Sequence, residues 1–167
     1  MICDDAAVNI FRKAGMAVAR GGMAVQVWMY RRSGGRRGGK APGGVPLLLL
    51  TTTGRKSGAR RTRPVGFLPQ GDGFVVCGSN GGSDRPPAWS LNLRANPAAT
   101  VEVKERTLPV TASEITGADY EPMWQAYTAA YPGFARYRTK TQRHLPLFVL
   151  QPSTPDGSTD GSAGGSN

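Results

Sequence analysis

The 167-residue sequence predicts a mainly β (α+β) fold, in which about six short strands form a compact sheet or barrel after an N-terminal helix. Three observations support this prediction. Apolar residues recur at helical spacing near the N-terminus, a glycine-rich basic segment follows, and short apolar runs separated by turn residues occupy most of the remaining chain. With 39% hydrophobic residues, the chain is long enough to form one domain with a substantial core.

Residues 1–30 are predicted to be a helical segment. Apolar side chains recur at helical intervals from Ile10 to Val18, and Asp4 or Asp5 is placed to cap the first turn. The spacing resumes beyond Gly21 and Gly22, which allows either a second helix or a kinked continuation. Residues 31–45, rich in glycine and arginine, are expected to form a flexible loop.

The compact domain is expected to span residues 46–152, and residues 153–167 are expected to be a disordered tail because they have almost no apolar content. The candidate strands are residues 46–53, 61–69, 73–79, 99–104, 106–113 and 146–150. No internal repeat is present.

Two helices are predicted within this domain. A short one covers residues 88–94, with Asp84 as a candidate cap and with Trp89 and Asn92 on one face. A second covers residues 116–131, and its apolar stripe is expected to contain Met123, Tyr127 and Ala130.

Residues 47–65 predict a tight β-hairpin that carries five cationic side chains. Gly54 and Gly58 allow positive φ angles or a close approach of a ligand, and hydrogen-bond donors lie between them. Arg61 and Arg63, two residues apart on the returning strand, are expected to share one face. Such a hairpin can bind a phosphate or carboxylate through charge-assisted hydrogen bonds, although a solvated basic turn is the simpler alternative.

The distribution of charge supports an anionic partner. The net charge is +10, and every charged side chain between Asp5 and Asp72 is Lys or Arg. Nucleic acid, anionic lipid and an acidic small molecule all remain compatible with this composition.

Several classes of catalytic site are disfavoured by the residues present. The GGRRGGK segment at residues 34–40 resembles a phosphate-binding P-loop, but Ala41 replaces the Ser or Thr and no strand precedes it. His144 is the only histidine, so neither a metal site nor a hydrolytic triad is expected, and His144 is interpreted as structural. If the protein is an enzyme, an organic redox cofactor is therefore the expected source of its chemistry.

Three segments carry a specific resemblance: PLLLLTTTGRKSGARRTRPVGFL, CGSNGGSDRPPAWSLNLRANP and YPGFARYRTKTQRHLPLFVLQP. In this order they resemble the deazaflavin (F420)-dependent nitroreductase family, from about residue 28 to residue 152. The resemblance implies an FMN-binding split β-barrel of antiparallel strands. It also implies hydride transfer from reduced coenzyme F420 to a quinone, a nitroaromatic or a related planar acceptor.

The resemblance also implies a set of cofactor-binding residues. The phosphate and acidic tail of the cofactor are expected at the hairpin and the ring near the second segment. The implied residues are Arg55, Lys56, Ser57, Arg61, Arg63, Pro64, Cys77, Ser79, Asn80, Gly81, Trp89 and Asn92.

The acceptor side is assigned to Trp28, Tyr131, Phe134 and Tyr137, with Ser79, Tyr131 and Tyr137 as candidate catalytic residues. The three aromatic residues from 131 to 137 could equally form a core stripe. Nitroimidazole-activating members of the family have tyrosine at all three positions and lysine at the position of Asn80, so Phe134 and Asn80 are departures from their pattern.

Three alternatives remain open at this point. FMN could replace the deazaflavin as cofactor, and a basic face could bind nucleic acid without catalysis, although the aromatic residues do not interleave with the cations as stacking would require. The N-terminal helix could dock on an anionic membrane or only cover the barrel. The absence of a secretory pattern favours a cytoplasmic protein, and nothing in the sequence indicates its oligomeric state.

Overall fold

The computed structural model describes residues 22–153, and it contains a closed barrel of six antiparallel strands. The order around the barrel is β1–β2–β3–β6–β5–β4, and β4 pairs back onto β1. The strands are β1 (Leu47–Thr53), β2 (Arg60–Gln70), β3 (Gly73–Cys77), β4 (Ala98–Val103), β5 (Arg106–Ile115) and β6 (Leu147–Pro152). The predicted strands and the barrel are confirmed, and β3 ends two residues before its predicted end. The expected helix at residues 10–18 and the expected tail beyond residue 153 lie outside the described residues.

Four helices accompany the barrel within the described residues. They are α1 (residues 22–32), α2 (Ala88–Ala95), α3 (Tyr120–Ala130) and α4 (Ala135–Arg138). Helix α1 continues through Arg32, two residues past the predicted end of the helical segment. In the part of the chain between residues 22 and 153, no helix combines the length and apolar character needed to cross a membrane.

The barrel interior is filled by alternate residues of the strands, as the period-2 pattern predicts. Leu48 and Leu50 of β1 meet Val65 and Phe67 of β2 in this core. Helix α2 contributes Trp89 and Leu93 to the same cluster. Trp89 also packs its ring edge against Phe148 of β6, with 6.0 Å between the ring centroids. Helix α2 therefore closes one end of the barrel with apolar side chains.

A second apolar cluster covers the outside of the barrel, where α3 packs against β3, β5 and β6. The buried face of α3 contains Tyr120, Trp124 and Tyr127. The predicted stripe was partly wrong, because Ala130 is exposed and Met123 is only partly buried. The helix begins at Tyr120, after a 3₁₀ turn at Gly117–Asp119, and the spacing of Tyr120, Trp124 and Tyr127 places these aromatic residues on the buried face.

Helix α1 is fastened to the barrel by the buried Tyr30. Its hydroxyl donates to the carbonyl oxygens of Leu47 at 3.1 Å and Glu102 at 3.3 Å, and accepts from the Lys104 amide at 3.0 Å. An ion pair between Arg31 and Glu102, with two hydrogen bonds of 2.8 and 2.6 Å, adds a second connection to β4. One side of the helix is thereby held against β1 and β4.

The expected cap of α2 was wrong. Pro87 occupies the N-cap position without a side-chain cap, and the Ser90 hydroxyl donates to the Pro87 carbonyl oxygen at 2.9 Å. Asp84 instead accepts a hydrogen bond from the Thr141 hydroxyl at 2.7 Å. Asp84 lies three residues before the N-cap position, and its carboxylate binds a distant segment instead.

Candidate functional site

A cleft of about 780 Å³ opens at the end of the barrel beside α2. Volumes of a few hundred to a thousand cubic ångströms are typical of small-molecule sites. The cleft is bordered by the first half of β2, the segment after β3 and the start of α2. Its lining residues are Met23, Thr52, Arg61, Arg63, Pro64, Val65, Gly66, Cys77, Ser79, Asn80, Gly81, Pro86, Pro87, Ala88, Trp89, Asn92 and Phe134.

The basic side of the cleft is formed by Arg61 and Arg63 of β2. Strand alternation places them on the same face as Val65 and Phe67, which point into the barrel core. The inner face of this strand therefore changes from apolar to cationic where the barrel opens. Three ion pairs occur within residues 22–153, and none includes a cation of the β1–β2 hairpin. These guanidinium groups are available for an anion.

The loop between β1 and β2 is compact, and the predicted hairpin is confirmed by the pairing of Thr53 with Arg60. The Gly54 amide donates to the Ala59 carbonyl oxygen at 2.8 Å, and Gly58 has a φ of 65°. A β-carbon on Gly54 would lie 3.0 Å from the Ser57 hydroxyl and 3.1 Å from the Ala59 carbonyl oxygen, so close packing favours glycine there. Arg55, Lys56 and Ser57 sit in this loop, adjacent to the cleft but outside its lining.

Asn92 of α2 connects this loop to the rest of the site. Its side-chain oxygen accepts from the Arg55 amide at 3.1 Å, and its side-chain nitrogen donates to the Thr52 hydroxyl oxygen at 3.0 Å. The Asn92 side chain is buried, so these partners are shielded from competing water. Asn92 thus holds the start of the cationic loop at a defined distance from the cleft.

The polar end of the cleft is a turn that follows β3. Ser79 is buried, whereas Asn80 and Gly81 are exposed and border the open space. The Asn80 side-chain nitrogen donates to the Arg85 carbonyl oxygen at 2.9 Å. Together these residues place a hydroxyl and main-chain polar groups next to an otherwise apolar wall.

Cys77 lies at the end of β3, on the same wall. Burial raises the pKa of its thiol to about 12, although the nearby positive charge of Arg143 acts in the opposite direction. The thiol is therefore neutral at physiological pH. It contributes a small apolar surface to the cleft, and its burial and raised pKa oppose a role as a nucleophile.

The aromatic segment after α3 contributes to the cleft through one residue. Phe134 lines the cleft, and Tyr137 packs against Phe134 with 5.1 Å between ring centroids. The Tyr131 hydroxyl donates to the Phe67 carbonyl oxygen at 3.0 Å, and the Tyr127 hydroxyl donates to the Gly66 carbonyl oxygen at 3.1 Å. Tyr131 and Tyr137 therefore lie behind Phe134, outside the lining of the cleft.

Trp28 is also separate from the cleft. It lies on α1 with 60% of its surface exposed and lines a neighbouring groove of about 660 Å³. The groove and the cleft share Met23 and Arg63, so the two spaces adjoin.

Nine of the twelve predicted cofactor residues line the cleft, and the other three lie in the adjacent loop. The lining residues that the sequence did not indicate include Thr52, Pro87 and Met23. Their side chains carry no recognisable chemical pattern, and only the fold places them there. Among residues 22–153, no group of three or more His, Cys, Asp or Glu side chains is arranged to bind a metal.

Comparison with known proteins gives consistent results. A family model described as F420H(2)-dependent quinone reductase matches residues 23–152. An F420H(2)-dependent quinone reductase of Mycobacterium tuberculosis is 35% identical over 125 residues, which cover 73% of this chain and 84% of the relative. The solved structure of an F420-H2 dependent reductase, FDR-A, is 37% identical with a TM-score of 0.58, covering 64% of this chain and 94% of that one. A structure described as a domain-swapped dimer is 29% identical with a TM-score of 0.60, covering 87% of this chain and 100% of that one.

Asn92→Ala should lower the free energy of unfolding by about 1–3 kcal/mol, because a buried group that bridges two hydrogen-bonding partners is removed. Hydrogen exchange of the Arg55 amide should become faster, and both effects can be measured by urea unfolding and mass spectrometry. Asn96→Ala is the matched control, since Asn96 caps the same helix and accepts from the Ala98 amide at 3.0 Å on the exposed surface. Equal effects of the two variants would contradict the assigned role of Asn92.

Proposed function

The chain belongs to the F420H(2)-dependent quinone reductase family, and from this premise we propose that the cleft beside α2 binds both the deazaflavin and its acceptor. The protein is an F420-dependent oxidoreductase. The observation that supports this location is the combination, in one cleft, of a cationic side and an aromatic, largely apolar end.

The residues present fit the chemical parts of this cofactor. Arg61 and Arg63 can bind its phosphate through charge-assisted hydrogen bonds, and the loop at residues 54–59 extends the positive surface toward its acidic tail. Trp89, Pro87 and Phe134 present the flat apolar surfaces that a planar ring requires. When bound in its reduced form, the deazaflavin supplies a hydride.

The protein's own contribution is positioning and the exclusion of water. Trp89 and Pro87 cover the barrel end, and the buried thiol of Cys77 is neutral and adds no charge to the same wall. Transfer between two reactants held in a dry, fixed arrangement avoids much of the entropic cost of their encounter. Ser79 borders the cleft and its hydroxyl can donate to an acceptor oxygen that gains negative charge.

We infer that the acceptor is a planar, weakly polar compound, with a quinone as the first candidate and a nitroaromatic as the second. The relatives named as quinone reductases support this choice. Phe134 offers an apolar edge in place of a hydroxyl, and Asn80 offers a neutral amide. Both features favour a neutral ring over a substrate that needs an additional donor or a positive charge.

Titration with F420 should quench the tryptophan fluorescence of the protein, and reduced F420 should be oxidised when menadione is added. Arg61→Gln and Arg63→Gln should each weaken F420 binding about tenfold or more, because one charge-assisted contact is worth about 1.5–3 kcal/mol. Arg106→Gln is the control, since Arg106 is an exposed cation on β5 away from the cleft. FMN is titrated in parallel.

Absence of F420 binding and of menadione-dependent turnover by the unmodified protein would refute the proposed function. Tighter binding of FMN than of F420 would also refute the assigned fit of the cleft. Equal weakening by Arg106→Gln and Arg61→Gln would place the phosphate elsewhere.

Ser79→Ala should lower kcat with menadione by about ten- to a hundredfold while F420 affinity stays nearly constant, because only the acceptor's developing charge loses a donor. Tyr131→Phe should have a smaller effect on kcat, since the Tyr131 hydroxyl already donates to Phe67. Steady-state kinetics of both variants measures this difference. A larger loss in Tyr131→Phe would assign the proton donor to Tyr131.

We further propose that α1 brings the cleft close to an anionic membrane surface. Val25, Trp28 and Met29 are 54%, 60% and 38% exposed on this helix, although large apolar side chains are usually covered. The Arg32 guanidinium lies 5.7 Å from the Trp28 ring centroid, so a cation accompanies the apolar surface. An apolar face bordered by arginine is the pattern of an interfacial helix.

Vesicles that contain anionic lipid should carry the protein upward in a flotation gradient at low salt, and vesicles of neutral lipid should not. Trp28→Ser should reduce the bound fraction severalfold because it removes the largest apolar contact, with Trp124→Phe, a substitution on the buried face of α3, as the control. Failure to float at low salt would refute membrane binding without affecting the assignment of the cleft.

A further inference from the structure

The turn between β3 and α2 passes through the left-handed region of backbone conformation at three successive residues. Asn80, Gly81 and Gly82 follow one another with φ angles of 47°, 66° and 81°. A positive φ is uncommon for a non-glycine residue such as Asn80, whereas glycine adopts it readily. Two backbone hydrogen bonds, from Gly82 to Ser79 at 3.0 Å and from Ser83 to Asn80 at 3.1 Å, close the turn.

Arg143 holds this turn by hydrogen bonds and lies outside the lining of the cleft. Its guanidinium donates to the carbonyl oxygen of Ser79 at 2.6 Å and to that of Ser83 at 2.7 Å. A third hydrogen bond, at 3.2 Å, reaches the His144 carbonyl oxygen in its own segment. One planar side chain therefore connects both ends of the turn to the segment that leads into β6.

Thr141 and Lys140, close to Arg143 in the sequence, make further contacts with the same region. The Thr141 hydroxyl accepts from the Arg143 amide at 3.2 Å and donates to the Asp84 carboxylate, just beyond the turn, at 2.7 Å. Lys140 lies so close to Gly82 that a β-carbon there would come within 2.9 Å of the lysine side chain. Hydrogen bonds and close packing thus connect residues 79–84 with residues 140–143. We call these two segments together the turn clasp.

The turn clasp can affect the proposed reaction because some of its residues line the cleft. Ser79, Asn80 and Gly81 line the open space, whereas Arg143 does not. The binding surface for the cofactor phosphate is built independently of the clasp, from β2 and the loop held by Asn92. Movement of the turn would therefore alter the polar end of the cleft beside Ser79, which we call the acceptor end because Ser79 is the proposed donor to the electron acceptor, and would leave the cationic side in place.

We propose that Arg143 is a positioning residue that sets the geometry of the acceptor end through the carbonyl oxygens of Ser79 and Ser83. The proposal rests on the proposed function, because it assumes that reduction takes place in this cleft. Arginine is required here because its planar guanidinium donates to two carbonyl oxygens at once. The single ammonium group of lysine cannot reproduce both hydrogen bonds.

Arg143→Lys should lower kcat/KM for menadione by about ten- to a hundredfold, because a shift of about an ångström in a reacting arrangement has effects of this size. The Kd for F420 should change less than about threefold, as Arg61 and Arg63 are untouched. Arg138→Lys is the matched control. Arg138 lies five residues earlier, and its guanidinium also makes two hydrogen bonds. These go to the Glu121 carboxylate oxygens at 3.1 and 2.7 Å, and not to the turn.

Two results would overturn the proposal. The first is a kcat/KM for Arg143→Lys that matches that of Arg138→Lys, and the second is a parallel loss of F420 binding and turnover. If Arg143→Lys does not fold, Thr141→Val provides the answer, because it loosens the clasp without removing the guanidinium. A severalfold lower kcat/KM at constant F420 affinity supports the proposal, and unchanged kinetics overturns it.

The proposed function is tested separately by the unmodified protein. If that protein neither binds F420 nor reduces menadione, the assignment of the cleft fails. If it does both and Arg143→Lys behaves like the control, only the role of Arg143 fails.

Discussion

Closure of the barrel through β1 is the constraint on which the rest of the structure depends. β1 pairs with β2 on one side and with β4 on the other, and all its residues from 47 to 52 are buried. A strand that is hydrogen-bonded along both edges and packed on both faces cannot shift its register without disrupting the whole core. Because β1 runs directly into the cationic loop, the barrel register also sets the position of that loop.

The barrel alone does not complete the cleft. Two side chains from outside the sheet each tie an irregular segment to it: Asn92 holds the loop after β1, and Arg143 holds the turn after β3. Arg143 donates to three main-chain carbonyl oxygens, and Asn92 binds the main-chain amide of Arg55 and the hydroxyl of Thr52, so each supplies part of the regular pairing that a loop lacks. The cationic side of the cleft and the polar end beside Ser79 are consequently supported by separate interactions, which lets one vary without the other.

Sequence patterns predicted the elements well because they depend on neighbours along the chain. The strands agree with their predicted bounds to within about two residues, since alternation and turn residues are local signals. The errors have tertiary causes. Asp84 was expected to cap α2 but binds Thr141, 57 residues away in the sequence. The catalytic role expected for Tyr131 stays a prediction, and the structure shows that its hydroxyl binds the backbone of β2.

The sequence by itself therefore determined the positions of the strands along the chain, the basic hairpin and, through three long segments, the resemblance to a deazaflavin-dependent family. Only the tertiary structure decided which side chains meet in the cleft and which stay behind it. The contact between Arg143 and Ser79 spans 64 residues and exists only because β6 pairs with β3. Local sequence patterns do not predict such contacts, because the free energy of a long-range contact depends on closing the chain between its two residues and not on the residues next to each of them.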